Sequence, residues 1–249
     1  LTANNFLEFL KKEGNILVAL SSEAVTPTAI QSALLELDIS IPTDKGAVVV
    51  DHFNYDTSSA SEQHDVLLLQ TAGALRSSVK NYFGSDGYIA VPRAVAQVLG
   101  NDSPLLSPIL RAPSTAYSYS PKDEAEAVED PFAVGQQLNL VSAMQANNAA
   151  RLTVVGSAEL LQNTWFSENA KLAGKSIKTA NREFAQKLSA WAFKETGVLK
   201  VGKVVHYQDE GKSKKMNTSL AIPENNPGIY RVKTDVVSLH YLSNLENCY

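Results

Sequence analysis

Apolar positions in the first third of the chain switch between helical spacing and short continuous runs. Over residues 2–13, Phe6, Leu7, Phe9 and Leu10 recur at the helical period. Thr2 stands at the N-cap, Leu1 and Phe6 stand as staple partners, and Gly14 is the stop. Residues 15–20 are an almost unbroken apolar run, the mark of a strand covered on both faces. Thr26-Pro27 opens a second helix with Ile30, Ala33, Leu34 and Leu37 at helical spacing. Residues 47–50 and 65–69 are further apolar runs. This alternation predicts an α/β fold: a mostly parallel, flavodoxin- or amidotransferase-like open sheet with flanking helices.

Residues 70–136 are less regular. Gly, Ser and Pro recur around Gly84, Gly87, Pro104 and Pro108, and residues 121–130 are acidic and read as an exposed loop. Two strands are predicted at 139–144 and 152–155, joined by a polar turn at 145–149. Residues 181–195 read as a helix, with Phe184, Leu188, Trp191 and Ala192 on one face and Gly197 as its stop. Beyond it the pattern changes to β-branched and aromatic runs at 198–208 and 229–242, the opening strands of a β-rich, sandwich-like domain. The expected organisation is an α/β domain over 1–199 and a β-domain beginning at 200–249. Both ends read as interrupted, because residue 1 already stands at a helix entrance and the chain stops just past a strand pattern.

Composition narrows the function classes. Of 249 residues, 44% are hydrophobic and 19% charged, an ordinary globular balance. The formal net charge of −4, without a Lys/Arg stripe, argues against nucleic acid as a partner. Lys212, Lys214 and Lys215 read as a solvated loop. Cys248 is the single cysteine, so neither an intrachain disulfide nor a Cys-based zinc site can form. No run of about 18 apolar residues is present to span a membrane.

Candidate catalytic chemistry is sparse. There is no G-x-G-x-x-G and no Walker-type phosphate loop. Gly156-Ser157 lacks the second glycine of a nucleophile elbow, so Ser157 reads as a helix N-cap. His52, His64, His206 and His240 form no helical metal pair. His52 with Asp51 and Asp56 could in principle hold a divalent metal, but a hydrogen-bonded corner is the stronger reading. The run Asp51-His52-Phe53-Asn54-Tyr55-Asp56, directly after an apolar strand, is the most unusual polar segment: a structural corner or a partner-facing surface. No catalytic residue, metal or cofactor is expected. Asn101 and Asn217 head N-x-S/T sequons and are candidate glycosylation sites.

Several separate runs resemble one family. Residues 48–56, Val-Val-Val-Asp-His-Phe-Asn-Tyr-Asp, resemble the V-I-D-H-H-N-Y-D signature of the oligosaccharyltransferase 48 kDa subunit family, with Phe53 where that signature carries a second His. Residues 114–119 resemble its S-S-T-S-Y-S-F stretch. Residues 133–135 and 144–152 resemble its A-V-G…L-Q-A-R-N-N-A-R segment, and residues 188–200 resemble L-S-R-W-V-F-K-E-E-G-V-L-R. The resemblance implies a non-catalytic subunit of the endoplasmic reticulum complex that transfers a dolichyl-diphosphate-linked oligosaccharide to Asn in N-x-S/T. It implies a lumenal placement and a C-terminal membrane anchor not contained in this chain. It also implies, as partners, the other subunits, including a multispanning catalytic one, and indirect contact with the lipid-linked donor.

Overall fold

A computed structural model describes residues 2–71, 74–76, 79–100, 103–120, 130–166, 169–208 and 230–238, with backbone alone at 74–76, 79–80, 199–208 and 230–238. The expectations placed on Leu1, Asn101, residues 121–129, Lys212, Lys214, Lys215, Asn217 and Cys248 lie outside the described residues. The chain divides into two compact units, Leu1–Phe193 and Lys194–Tyr249.

The first helix, Ala3–Lys11, starts at Thr2, whose hydroxyl accepts from the Asn5 backbone N–H at 3.3 Å. Its end differs from the expected glycine stop. Glu13, at φ 64°, takes the left-handed position. The N–H groups of Glu13 and Gly14 then bond the carbonyls of Leu10 and Phe9, at 3.0 and 2.9 Å, in a Schellman arrangement. Gly14 is needed for space instead: a Cβ there would lie 2.6 Å from the Phe9 carbonyl oxygen. The second helix, Thr28–Glu36, has Pro27 at its cap, and the third of more than two turns, Asn181–Ala192, is followed by Lys194 at φ 60°, three residues before Gly197.

The central sheet of the first unit has the order Ile16–Ala19, Arg151–Val155, Asn139–Gln145, Leu106–Arg111. It is mixed, where a mostly parallel sheet is expected from the alternation of elements. Among the described strand pairs only Ile16–Ala19 with Arg151–Val155 is parallel. The cause is connection length. Five residues join Asn139–Gln145 to Arg151–Val155, closed by Ala146 N–H to Ala150 O at 2.9 Å, and a parallel pair needs a crossover of about a dozen residues or more. Ile16–Ala19 also departs from the doubly covered strand expected: it lies at one end of the strand order, half-buried at Ile16 to Val18 and exposed at Ala19.

Side-chain alternation sends the sheet's residues into two cores. Leu152 and Val154 join Phe6, Leu10, Ala33 and Leu34 of the first two helices. Val141, Ala143 and Val155 join Leu67, Ile89, Val91, Phe184 and Leu188 on the other side. The second core therefore carries the strand pair Val66–Gln70 and Tyr88–Pro92, and the third helix packs against it. Arg151 is buried at the sheet end, its Nη1 donating to Trp191 O at 2.6 Å and its guanidinium 4.6 Å from the Trp191 ring. Burial pulls its pKa below the ordinary arginine value.

In the second unit, Leu199–Gln208 and Tyr230–Ser238 form an antiparallel pair, with Leu199 opposite Ser238 and Gln208 opposite Tyr230. No helix among the described residues is long and apolar enough to cross a membrane.

Candidate functional site

The polar run after the Val48–Val50 strand folds into a corner tied to three other segments. Val48–Val50 pairs antiparallel with Tyr117–Tyr119, so Tyr117 stands opposite Val50 and its neighbours flank the turn. The Asp51 N–H bonds His64 O at 3.2 Å. From there the backbone runs beside the Val66–Gln70 strand: Leu68 N–H bonds Asn54 O at 2.8 Å, Tyr55 bridges Leu67, and Asp56 N–H bonds Val66 O at 2.9 Å.

Both carboxylates of the corner are engaged internally. Asp51, fully buried, accepts from Phe53 N–H at 2.8 Å, Asn54 Nδ2 at 2.9 Å and Thr115 Oγ1 at 2.9 Å. The first of these is an Asx turn that reverses the chain within two residues. The last pins the corner to the loop before Tyr117. Asp56, also buried, accepts from the N–H and hydroxyl of both Ser58 and Ser59, and from Lys171 N–H at 2.7 Å. Thr57 completes the docking, its N–H and hydroxyl both donating to Lys171 O. The corner thereby holds the Asn169–Leu172 and Lys175–Lys178 hairpin. Burial pushes the Asp56 pKa up, but the bonds from Ser59, Lys171 and Ser58 outweigh it and hold the carboxyl below its ordinary value.

The rings of the corner point outward. His52 is exposed, Phe53 is 72% exposed, and Tyr55 is half-buried. Their arrangement includes residues that sequence reasoning passed over. His64, twelve positions on, brings its Nδ1 within 2.5 Å of His52 Nδ1, and His52 Nε2 lies 3.0 Å from Tyr117 Oη. The Tyr55 ring packs on His64 with centroids 4.1 Å apart. The trio Asp51, His52 and Asp56, weighed from sequence as metal ligands, is not assembled: no group of three or more His, Cys, Asp or Glu among the described residues is placed to hold a metal. The missed partners His64, Thr115 and Tyr117 are joined to the motif by strand pairing and loop closure. The one local signal is an isolated His directly before the apolar run at 65–69.

Ser157 is buried and sits at the cap position of a short 3-10 turn, Ala158–Leu161, yet it makes no cap bond. Its hydroxyl donates instead to the Pro92 carbonyl, the acceptor that the adjoining strand presents to it. That hydroxyl is an internal brace.

Comparison with known proteins agrees with the resemblance read from these segments. A family profile described as OST48, N-terminal domain, matches residues 1–195. The chain is similar to proteins named as the 48 kDa subunit of dolichyl-diphosphooligosaccharide–protein glycosyltransferase. The zebrafish Danio rerio protein is 34% identical over 203 residues, covering 80% of this chain and 44% of that protein. The Drosophila melanogaster protein is 32% identical over 211 residues (81% and 45%), and the Caenorhabditis elegans protein is 30% identical over 211 residues (84% and 46%). The chain thus spans about half the length of these relatives. With a profile match across most of its residues and this level of identity to three animal proteins, the chain belongs to the OST48 N-terminal-domain family.

Proposed function

We propose that this chain is the lumenal α/β module of a non-catalytic subunit of the endoplasmic reticulum oligosaccharyltransferase. In this reading it serves assembly, while transfer of the dolichyl-linked oligosaccharide to Asn in N-x-S/T belongs to another, multispanning subunit. The observation that carries the reading, beside the family match, is the use of the polar corner. Asp51 and Asp56, the acidic groups that could have served as base or ligand, are buried and committed to backbone and side-chain donors of the same fold. A general base must instead reach a substrate proton. The corner is accordingly a rigid support, and the exposed ring surface of His52, Phe53 and Tyr55 above it is what a neighbouring subunit would meet. An α/β domain over 1–199, a β-rich, sandwich-like domain beginning at 200, and glycan attachment at Asn101 and Asn217 complete the reading.

Affinity purification of the tagged full-length parent from detergent-solubilised microsomes, followed by mass spectrometry, tests it. Recovery of the multispanning subunit and its companions is the expected result. A protein recovered without partners, with unaltered sequon occupancy on unrelated glycoproteins after its depletion, would overturn it.

A further inference from the structure

We propose that His52 and His64 form a two-histidine site for a borderline transition-metal ion, of the class of Zn2+, Ni2+ or Cu2+. The site shares His52 with the proposed partner-facing surface, but its test reads metal binding by the isolated chain and does not depend on that role.

The two Nδ1 atoms lie 2.5 Å apart with their rings nearly perpendicular, at 87°. Two imidazolium rings cannot hold that approach, because both nitrogens would carry protons; at least one Nδ1 presents a lone pair. The Tyr117 hydroxyl can accept a proton from His52 Nε2, which allows the tautomer that leaves Nδ1 bare. With the Nε2 proton of His52 directed to the phenol oxygen at 3.0 Å, its Nδ1 is the bare nitrogen. This is the outer hydrogen bond that orients a metal-ligating histidine. Two imidazole nitrogens bound at about 2.0–2.1 Å to a tetrahedral ion lie roughly 3.3 Å apart. The pair therefore needs to open by less than about 1 Å, and His52 is exposed and able to turn. On binding, the His64 proton shifts from Nδ1 to Nε2, a change of tautomer without a change of charge.

The backbones that carry the rings are fixed. Asp51 N–H bonds His64 O, and His64 N–H bonds Ala60 O at 3.0 Å. His64 sits at φ 54°, in the left-handed region that Asn, Asp and His enter more readily than other residues with a side chain. Tyr55 packs on one face of its ring. Imidazole donors without a free carboxylate favour zinc, nickel and copper over magnesium or calcium. Asp51 and Asp56 are already engaged, so the remaining coordination positions fall to water or to a donor from outside the chain.

The test is isothermal titration of the metal-free full chain with Zn2+ and with Cu2+. The expected result is one ion per chain, with Cu2+ bound more tightly than Zn2+. His52→Gln and His64→Asn, the latter chosen because Asn tolerates the left-handed backbone, should each weaken binding at least about tenfold. Tyr117→Phe should weaken it about tenfold through ring orientation alone. The double variant of His206→Gln and His240→Gln should bind as the unaltered chain does, and circular dichroism confirms that each variant is folded. Absence of saturable binding at 1 mM metal overturns the site. So does binding that survives either His52→Gln or His64→Asn undiminished, or that is lost with His206 and His240.

Discussion

The Asn181 side chain bonds both backbone groups of Ala90: its Oδ1 accepts from Ala90 N–H at 2.8 Å and its Nδ2 donates to Ala90 O at 2.7 Å. A primary amide presents a donor and an acceptor side by side, as a peptide does. Asn181, fully buried at the start of the third helix, therefore does for the middle of the Tyr88–Pro92 strand what a neighbouring strand would do. Asn181→Ala should leave two buried backbone groups without partners and cost about 2–4 kcal/mol. Asn181→Asp should cost at least as much, because a carboxylate would face the Ala90 carbonyl. Urea unfolding of the variants measures both; a loss under about 0.5 kcal/mol in Asn181→Ala would show that water takes over both bonds.

Gly156 is required for space. Its N–H bonds Leu140 O at 2.7 Å and its carbonyl accepts from Val95 N–H at 2.8 Å. A Cβ would lie 2.5 Å from Val95 O and 2.9 Å from Leu140 O, both backbone atoms that cannot swing aside. Gly156→Ala should destabilise the first unit by about 2–3 kcal/mol, the range of overpacking in a close-packed interior, as a lower urea midpoint with little change of slope. A variant of unchanged midpoint would mean that the Val95 and Leu140 backbones give way freely at this point.

What could be read from the chain alone follows the range of the interactions. The Thr2 cap and the face formed by Phe184, Leu188 and Ala192 are local, set by residues within a few positions of one another, and the structure holds them as expected. A run such as 139–144 has the same pattern beside a parallel or an antiparallel neighbour, so the helix–strand alternation pointed to a mostly parallel sheet; the short turn read at 145–149 already required an antiparallel pair. The corner shows the same division. Asp51, Asn54 and Asp56 announce a turn by composition, whereas Thr115 reaches Asp51 across 64 positions and Lys171 reaches Asp56 across 115. His64 was not paired with His52 from sequence because their meeting depends on the loop between them closing through Asp51 N–H to His64 O.

Asp56 makes the first unit acid-sensitive. Its folded pKa lies below the unfolded value, so the folded state binds this proton less readily than the unfolded chain. The sign follows: its stabilisation is complete above the unfolded aspartate value, near pH 4, and is lost as pH falls through the lower, folded value. The melting temperature of the unaltered chain should thus fall more steeply below about pH 4 than that of Asp56→Asn, whose curve should be flatter and lower at neutral pH. Parallel curves for the two proteins would remove Asp56 from the acid response.

Asp51 separates support from interface. Its buried carboxylate holds Phe53, Asn54 and Thr115 at once, so Asp51→Ala should cost about 3 kcal/mol and lower the melting temperature by roughly 6–12 °C. Thr115→Val removes one of the three bonds and should cost about 1–2 kcal/mol. Because the two residues share that bond, the double variant should be less destabilised than the separate losses together, by about 1 kcal/mol. Phe53, by contrast, is 72% exposed, and Phe53→Ala should leave the melting temperature within about 2 °C of the unaltered chain. If the exposed rings meet a partner subunit, Phe53→Ala in the full-length parent reduces recovery of companion subunits while the module stays folded. Asp51→Ala reduces both recovery and stability. Additive losses in the double variant would instead mean that Thr115 and Asp51 stabilise the corner separately, and loss of assembly in Asp51→Ala without any change in melting temperature would transfer the role of Asp51 from the fold to the interface.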